Sequence, residues 1–388
     1  MSEITIETYG GGTPKTANEE FWKGDIPWIQ SSDLVEECLF DVKPRKSISQ
    51  EAVSKSATKL VPQNSIAIVT RVGVGKLAFM PFSYATSQDF LSISELKTAP
   101  EFTVYALYRM MQLVSNEVQG TSIKGITKDE LLAKKMLIPS RNEQKKIGTY
   151  LHIIDHLITL HQRKCEETKS LKKYMLQKMF PENGKCVPKI RFSGFSDAWE
   201  QRKLGEIYGS IGNAFVGTAT PYYVEQGHFY LESNNVKDGQ INHNSEIFIN
   251  DEFYEKQKDK WLHSGDVVMV QSGHVGHAAV IPKELNNTAA HALIMFRNPK
   301  EEIEPYFLNY EYQTDKVKKK IENITTGNTI KHILASDMQE FVVDVPKYEE
   351  QKVIASYFSH LDHLITLHQH KCDELQKLKK FMLQNMFV

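Results

Sequence analysis

The sequence predicts an α+β protein made of two repeated mixed α/β domains, each followed by a long helix. Two observations carry this prediction. Residues 143–180 and 350–387 are identical at 24 of 38 aligned positions, at a constant offset of 207. The segments 1–142 and 199–348 share turn and strand signals in the same order. Self-similarity at a fixed period indicates a repeated structural unit.

Both copies of the repeat are predicted to be helices, since they lack proline and are rich in Leu, Ile, Lys, Gln and Glu. Apolar residues recur at helical spacing and predict one stripe per helix. The stripes contain Ile147, Leu151, Ile154, Leu157, Ile158, Leu171, Met175 and Met179, and Ile354, Phe358, Leu361, Leu364, Ile365, Leu378, Met382 and Met386. Because a globular stretch separates the copies, we expect an antiparallel, coiled-coil-like helix pair.

The predicted domain plan follows from these repeats. Its boundaries are 1–142 for domain 1, 143–181 for helix 1, 182–198 for a linker, 199–348 for domain 2 and 349–388 for helix 2. A chain of 388 residues is long enough for two cores.

Within domain 1, residues 26–34 predict a strand that runs into a polar turn. Residues 65–81 predict two strands around a glycine-containing hairpin, and 85–93 a further strand. Residues 102–118 have helical spacing, and 120–139 predict a loop, a short helix and a strand that ends at Pro139. Domain 2 repeats these signals at 228–236, 266–282, 287–296 and 327–346.

Composition limits the class of protein. Lys and Arg total 47, and Asp and Glu total 48, so the charges are balanced. This chain is therefore less basic than is usual for a protein that binds nucleic acid on its own. The four cysteines form no CxxC pair, which predicts a reducing compartment, and Cys165 and Cys372 are interpreted as fillers of the buried helix side. No signal peptide or membrane-spanning run is recognisable, so the sequence predicts a soluble, cytoplasmic protein.

No catalytic motif is recognisable in the sequence: GxxxxGK[ST], HExxH and GxSxG are all absent. The sequence GVGK at 73–76 lies between two predicted strands, so a hairpin is favoured over a phosphate-binding loop. Such a hairpin is either purely structural or a close DNA contact, in which Arg71 and Lys76 could reach phosphates or guanine.

Charged residues on the helices suggest surface roles. His152, His156, His161, His360, His363, His368 and His370 could indicate metal, but the first has no counterpart at Ser359, so surface or partner contacts are favoured. Partner docking is predicted for His156, His161, Lys172, Lys173, His363, His368, Lys379 and Lys380, although a solvated face is the alternative for the lysines.

Polar loop residues are the candidates for DNA binding, because their donors and acceptors suit base edges and phosphates. In the first half they are Thr13, Gln30, Ser31, Ser32, Arg71, Lys76, Ser87, Gln88 and Lys124. In the second half they are Glu232, Asn234, Asn235, Gln271, Ser272, His274, His277, His291 and Lys331. The two domains share their turn and strand signals, whereas these polar side chains differ. The pattern therefore predicts two sites of the same shape that recognise different targets.

The chain resembles the DNA-specificity (S) subunits of type I restriction–modification systems. The resemblance rests on GGTPKT and the following GDIPWI in the first half, PKIRFSGFSDAWEQRKLGEI at 188–207, and the repeated helix sequence. It implies two target-recognition domains that each read half of a bipartite DNA target, and helices that set the spacing and dock methyltransferase (M) subunits. It also implies association with restriction nuclease (R) subunits through the complex. S-adenosylmethionine and ATP are then expected on partner subunits, with no cofactor on this chain.

One feature departs from this resemblance. The lead-in at 188–207 precedes domain 2, whereas Ser2–Tyr9 aligns near the end of that lead-in. We therefore expect the packing of the first segment to differ. Two other functions stay open at this stage: a helical scaffold with two protein-binding domains, and an enzyme such as a fused methyltransferase or nuclease.

Overall fold

The protein forms two compact units that do not coincide with the two halves of the sequence. The computed structural model describes residues 1–118, 125–327 and 331–387. Unit 1 comprises residues 1–162 together with 369–388, and unit 2 comprises 163–368. Each unit therefore contains one mixed α/β domain, part of the helix that follows it and part of the other long helix.

Unit 1 has two sheets. Its strands are β1 Glu7–Gly10, β2 Ile26–Ile29, β3 Lys46–Ile48, β4 Ser65–Val69, β5 Leu77–Met80, β6 Ala85–Thr86 and β7 Phe90–Ser94. Its helices are α1 Gln50–Lys55, α2 Pro100–Val118, α3 Lys128–Ala133 and the start of α4 Arg141–Lys178. The order β1-β7-β4-β5 is antiparallel throughout, whereas in β3-β2-β6 the strand β2 runs parallel to β6.

Unit 2 repeats this plan. Its strands are β8 Glu200–Lys203, β9 Tyr208–Asn213, β10 Tyr223–Val224, β11 His228–Leu231, β12 Val236–Lys237, β13 Gln240–Ile241, β14 Phe248–Ile249, β15 Val267–Val270, β16 Ala278–Val280, β17 Ala289–Ala290, β18 Leu293–Pro299 and β19 Val342–Val345. Its helices are α5 Leu204–Ile207, α6 Asp251–Lys256, α7 Pro305–Tyr312, α8 Asp315–Ile324, α9 Ala335–Gln339 and the start of α10 Tyr348–Met386.

Both sheets of unit 1 recur in unit 2, which has β8, β10, β12, β13 and β19 in addition. The order β9-β18-β15-β16 corresponds to β1-β7-β4-β5, and β14-β11-β17 corresponds to β3-β2-β6, with β11 parallel to β17. The central strands β4 and β15 are buried along their whole length, which explains their uninterrupted apolar sequences. The predicted repeat of mixed α/β domains is confirmed.

The two long helices pack antiparallel within each unit. In unit 1 the thiol of Cys372 donates to the carbonyl oxygen of Ile158 at 3.7 Å, and Lys379 Nζ lies 2.6 Å from Asp155 Oδ1. The earlier residue of α4, Asp155, pairs with the later residue of α10, Lys379, so the two helices run antiparallel.

Unit 2 has the same arrangement. The thiol of Cys165 lies 3.9 Å from the carbonyl oxygen of Ile365, and Lys172 Nζ lies 2.6 Å from Asp362 Oδ1. Both cysteines are buried. The predictions of antiparallel helices and of cysteines on the buried side are confirmed.

Three local predictions were wrong. Residues 85–93 form β6 and β7 in different sheets rather than one strand, because the polar residues between them turn the chain. Residues 134–139 form no strand, since no strand in the described part of unit 1 pairs with them. Leu171 and Leu378 were assigned to the buried stripes but are 44% and 38% exposed.

Candidate nucleic-acid interface

In unit 1 the candidate loops meet where three strands end. The amide of Ser87, which follows β6, donates to the carbonyl oxygen of Ile29 at the end of β2, at 3.0 Å. The turn after β4 joins them, because Lys76 Nζ donates to the carbonyl oxygen of Leu34 at 3.1 Å. The parallel pairing of β2 with β6 thus places two loop sequences side by side.

The loop before β2 adds to the same edge. Thr13 Oγ1 donates to Gln88 Oε1 at 2.6 Å, and the amide of Gly12 donates to the carbonyl oxygen of Thr86 at 2.8 Å. The structure therefore brings together every first-half candidate that it describes. Lys124 lies outside the described residues.

A buried carboxylate fixes the shape of the loop after β2. Asp33 is 6% exposed and accepts the amide of Gln30 at 2.9 Å. Arg45 Nε lies 3.4 Å from Asp33 Oδ1, and Arg45 Nη2 donates to the carbonyl oxygen of Ser32 at 3.2 Å. This bracing leaves the side chains of Ser32 and Arg71 exposed for a ligand.

Ser87 has a different environment. It is 6% exposed, and its hydroxyl donates to Asp89 Oδ2 at 3.3 Å. This placement supports a role in holding the loop rather than the direct DNA contact that the sequence suggested.

In unit 2 the loops meet in the corresponding place. The amide of His291, which follows β17, donates to the carbonyl oxygen of Leu231 at the end of β11, at 2.9 Å. The turn after β15 is tied to the segment that begins at Lys331. The amide of Ile333 donates to the carbonyl oxygen of Gln271 at 3.0 Å, and that of Gly273 to the carbonyl oxygen of Lys331 at 3.2 Å.

Asn235 is part of the loop framework. It is 1% exposed, its Oδ1 accepts the amide of Glu232 at 3.0 Å, and its Nδ2 donates to the carbonyl oxygen of Asn242 at 3.1 Å. It occupies the place that Asp33 has in unit 1, so this placement does not support the predicted DNA contact. The neighbouring Asn234 is exposed.

His291 lies in a polar network. Its Nε2 lies 3.0 Å from the carbonyl oxygen of Gly217, and its Nδ1 lies 3.3 Å from Glu232 Oε1. The same oxygen accepts the Tyr223 hydroxyl at 2.7 Å. Burial and this hydrogen bond raise the pKa of Tyr223 to about 12, so it stays a donor. Glu232 is thus held between two side chains at the loop edge.

The remaining second-half candidates lie along the turn after β15. His277 Nδ1 accepts the amide of Asp238 at 3.3 Å, and burial lowers the pKa of its imidazole, which the Asp238 carboxylate only partly opposes. The side chains of Gln271 and Ser272 are half-buried, and those of His274 and Lys331 are exposed. These last two, with Asn234, are the candidates most open to a ligand.

The predicted docking residues divide into two groups. His156, Lys173, His363 and Lys380 are exposed, while His161 and His368 are half-buried. Lys172 and Lys379 are largely buried, with side chains 12% and 7% exposed, and form the ion pairs described above. Their placement supports a role in holding the helices together rather than in docking.

Each ion pair is completed by a tyrosine. Tyr310 donates to Asp362 Oδ2 at 2.9 Å, and Tyr105 donates to Asp155 Oδ2 at 2.7 Å. Burial, followed by the charge of the neighbouring aspartate, raises the pKa of both tyrosines far above their usual range. Each unit thus contains one buried Lys–Asp–Tyr cluster.

Sequence reasoning missed an exposed apolar pair on each helix. Tyr174 is 54% exposed beside Leu171, and Phe381 is 60% exposed beside Leu378. The pairs recur at the 207 offset and lie next to the exposed Lys173 and Lys380. The available signal was that an aromatic side chain stands at the same helical position in both copies.

No group of three or more His, Cys, Asp or Glu side chains among the described residues could hold a metal ion. Within the same residues, no helix has both the length and the apolar character needed to cross a membrane.

Comparison with known proteins gives one consistent result. The MjaIX type I restriction enzyme specificity subunit of Methanocaldococcus jannaschii is 23% identical, over 98% of this chain and 90% of its own length. The EcoR124I/EcoR124II specificity subunit of Escherichia coli is 33% identical over 39% of this chain and 38% of its own length. A crystal structure of a type I S subunit from M. genitalium shares the fold, with a TM-score of 0.64 at 14% identity, covering 100% of this chain and 94% of the other.

The match to a family model covers most of the chain. The model of the type I restriction modification DNA specificity domain matches residues 4–170 and 196–377, so one match falls on each half. This chain therefore belongs to the family of type I restriction–modification DNA specificity proteins.

Proposed function

We propose that each unit reads one half of a bipartite DNA target and that the two long helices set the spacing between the half-sites. In this proposal the chain is a non-catalytic subunit. Methyltransferase subunits dock on it, restriction nuclease subunits join through the complex, and S-adenosylmethionine and ATP are used by those partners. The relatives are named as specificity subunits of type I restriction enzymes, which supports this division of labour.

The observation that carries the proposal is the contrast between framework and loops. The strand orders of the two units match, yet the loop after the parallel strand reads Gln30, Ser31, Ser32 in one unit and Glu232, Ser233, Asn234 in the other. Base edges are distinguished by the pattern of donors and acceptors that side chains present. Two equal frameworks with different polar side chains therefore suit two different half-sites.

Glycines in the turns after β4 and β15 allow the close approach that such reading needs. Gly73 has a φ of 90° and Gly276 a φ of 88°, values that residues other than glycine rarely adopt. Each turn presents its backbone next to exposed basic or imidazole side chains, Arg71 in unit 1 and His274 in unit 2. Phosphate contacts position a protein on DNA, and base contacts give specificity.

We assign docking of the methyltransferase to the exposed apolar pairs rather than to the buried lysines. Aromatic side chains are enriched at the centres of protein interfaces, and lysine is depleted there. Tyr174 and Phe381 are the largest exposed apolar side chains on the C-terminal parts of their helices. Because the pair occurs once in each unit, two methyltransferase copies would find equivalent surfaces.

A domain exchange tests the bipartite reading. Residues 1–142 are replaced by the corresponding segment of another family member, and the host methylome is sequenced with the same methyltransferase present. We expect one half of the methylated motif to change while the other half and the gap stay the same. A change in both halves, or a motif without two parts and a fixed gap, would contradict the proposal.

A further inference from the structure

A carboxylate stands at the loop edge of unit 2, where the segments after β11 and β17 meet. Glu232 directly follows β11, and its side chain is 17% exposed. DNA phosphates repel a carboxylate, so this group is unfavourable beside DNA unless a hydrogen-bond donor of the duplex meets it. The chemistry of Glu232 therefore limits the bases that unit 2 accepts.

The structure holds Glu232 in one position. Its backbone amide donates to Asn235 Oδ1 at 3.0 Å. Its Oε1 accepts the Tyr223 hydroxyl at 2.7 Å and lies 3.3 Å from His291 Nδ1. The imidazole of His291 is anchored in turn, because its Nε2 lies 3.0 Å from the carbonyl oxygen of Gly217. A side chain fixed in this way loses little conformational freedom when it binds a ligand.

The second oxygen of this carboxylate stays available. Both contacts of the Glu232 side chain use Oε1, and within the described residues no hydrogen bond or ion pair reaches Oε2. Oε2 is not sealed from solvent. A carboxylate accepts hydrogen bonds and donates none. Glu232 thus offers a ligand one prearranged acceptor.

Only one base presents a donor in the major groove without an acceptor beside it. Guanine presents the acceptors N7 and O6, thymine presents the acceptor O4, and adenine presents the acceptor N7 next to its amino group. Cytosine presents its N4 amino group alone. A side chain that only accepts is therefore repelled by guanine and thymine, opposed in part by adenine, and favoured by cytosine.

Unit 1 carries different chemistry at the same place. Gln30 directly follows β2, as Glu232 follows β11. The amide of Ser87 donates to the carbonyl oxygen of Ile29, as the amide of His291 does to that of Leu231, so Ser87 takes the place of the imidazole. A glutamine both donates and accepts, which suits adenine. The acceptor-only character of this position is thus a property of unit 2.

We propose that Glu232 selects a C·G base pair in the half-site that unit 2 reads. Glu232 Oε2 accepts a hydrogen bond from the N4 amino group of the cytosine, while Tyr223 and His291 hold the carboxylate through Oε1. This inference rests on the proposed function, because it requires that unit 2 read DNA bases.

The test uses the chain together with its methyltransferase in a host whose methylome is sequenced. The exchange of residues 1–142 described above identifies which half of the motif belongs to unit 2. We expect one position of that half to require C·G. Glu232→Gln keeps the size of the side chain and an oxygen for Tyr223. It should relax that position alone, with discrimination against A·T reduced about tenfold, because the amide also suits adenine.

A matched control and a modified base separate base reading from folding. Glu252→Gln removes an exposed carboxylate on α6 of unit 2 and should leave the motif unchanged. N4-methylcytosine still pairs with guanine, but its methyl group replaces the amino hydrogen that faces the major groove. At the C·G position of a synthetic duplex it should slow methylation by the purified parent complex about tenfold. It should have little effect on the Glu232→Gln complex.

Three results would overturn the inference. The first is a Glu232→Gln motif that is unchanged at every position, since the carboxylate would then only brace Tyr223 and His291. The second is relaxation at a position that was not C·G in the parent. The third is a parent complex that methylates duplexes with N4-methylcytosine at any cytosine of that half-site at the unmodified rate. A motif without two parts would instead contradict the proposed function, and this inference with it.

Discussion

A carboxyl group in the core of unit 2 predicts an unusual pH dependence of stability. Glu311 is 2% exposed on α7, and its Oε1 accepts the amide of Asp344 at 2.9 Å. Its Oε2 is buried without a hydrogen-bond partner in the described structure. The pKa of this carboxyl is raised from 4.5 to about 8, chiefly by burial and also by the charge of Asp344, while the hydrogen bond from the Asp344 amide and the charges of Lys316 and Lys320 oppose the shift.

The sign follows from proton binding. Between pH 4.5 and about 8 the folded state keeps a proton on Glu311 that the unfolded state has released. The free energy of unfolding contributed by this group therefore falls as pH rises through that window and is constant above it. One pKa unit corresponds to about 1.36 kcal/mol, so the interval from 4.5 to about 8 sets an upper bound of roughly 5 kcal/mol.

Glu311→Gln should remove this dependence. The amide can still accept from Asp344, and it cannot ionise. At pH 5 we expect the variant and the parent to have similar stability, and at pH 8 we expect the variant to be more stable by a few kcal/mol. Unit 1 offers a precedent for an uncharged residue here. Pro100 and Pro305 begin equivalent helices, and counting from them places the buried Ala106 at the position of Glu311.

Hydrogen exchange of the α7 amides at pH 5, 6.5 and 8, corrected for intrinsic rates, measures the local opening free energy without requiring that the whole chain unfold in one step. Glu322→Gln, which neutralises an exposed carboxylate on α8, is the control and should change little. A difference between Glu311→Gln and the parent that is the same at all three pH values would refute the reasoning.

Three further predictions follow from the helix clusters, the loops and the exposed apolar pairs. Lys379→Met, which leaves the largely buried Asp155 carboxylate without its cation, should destabilise unit 1 by about 3–5 kcal/mol in chemical denaturation. Adding Asp155→Leu should recover part of that loss. Arg71→Ala should weaken DNA binding and make the slope of log affinity against log salt shallower by about 1; an unchanged slope would argue against a phosphate contact. Tyr174→Asp or Phe381→Asp alone should each reduce the number of methyltransferase copies bound to the chain by one in analytical ultracentrifugation, and the double variant should bind two fewer. The DNA affinity of the free chain should stay unchanged in all three variants.

The sequence predicted those features that depend on local pattern. The long helices, their antiparallel packing and the glycine hairpins could be predicted, because periodicity and turn residues depend on neighbouring positions in the sequence. The strand predicted at 134–139 failed for a different reason. An apolar run before a proline favours extended backbone, but a strand also needs a partner. The equivalent strand β19 pairs with β8, whereas no strand in the described part of unit 1 pairs with residues 134–139.

The same limit explains the misplaced polar residues. Asn234 and Asn235 are equally polar, yet one is exposed and the other is buried as a brace of the loop. Lys172 and Lys379 were predicted to dock a partner, or alternatively to be solvated, because the aspartate that pairs with each lies on the other copy of the helix, 190 residues away for Lys172. Only tertiary structure shows which donors are already satisfied.

The pairing of the two helix copies within each unit explains why both copies have the same lysine and aspartate in the Lys–Asp–Tyr clusters, while the loop residues differ. Each Lys–Asp–Tyr cluster takes its lysine from the end of one helix copy and its aspartate from the start of the other. A substitution in one copy therefore leaves a buried, unpaired charge unless the other copy changes as well, and such a charge costs several kcal/mol. The hydrogen bonds described above for the loop side chains each join residues of one unit. These side chains can change one unit at a time, which is the freedom that a protein reading two unlike half-sites requires.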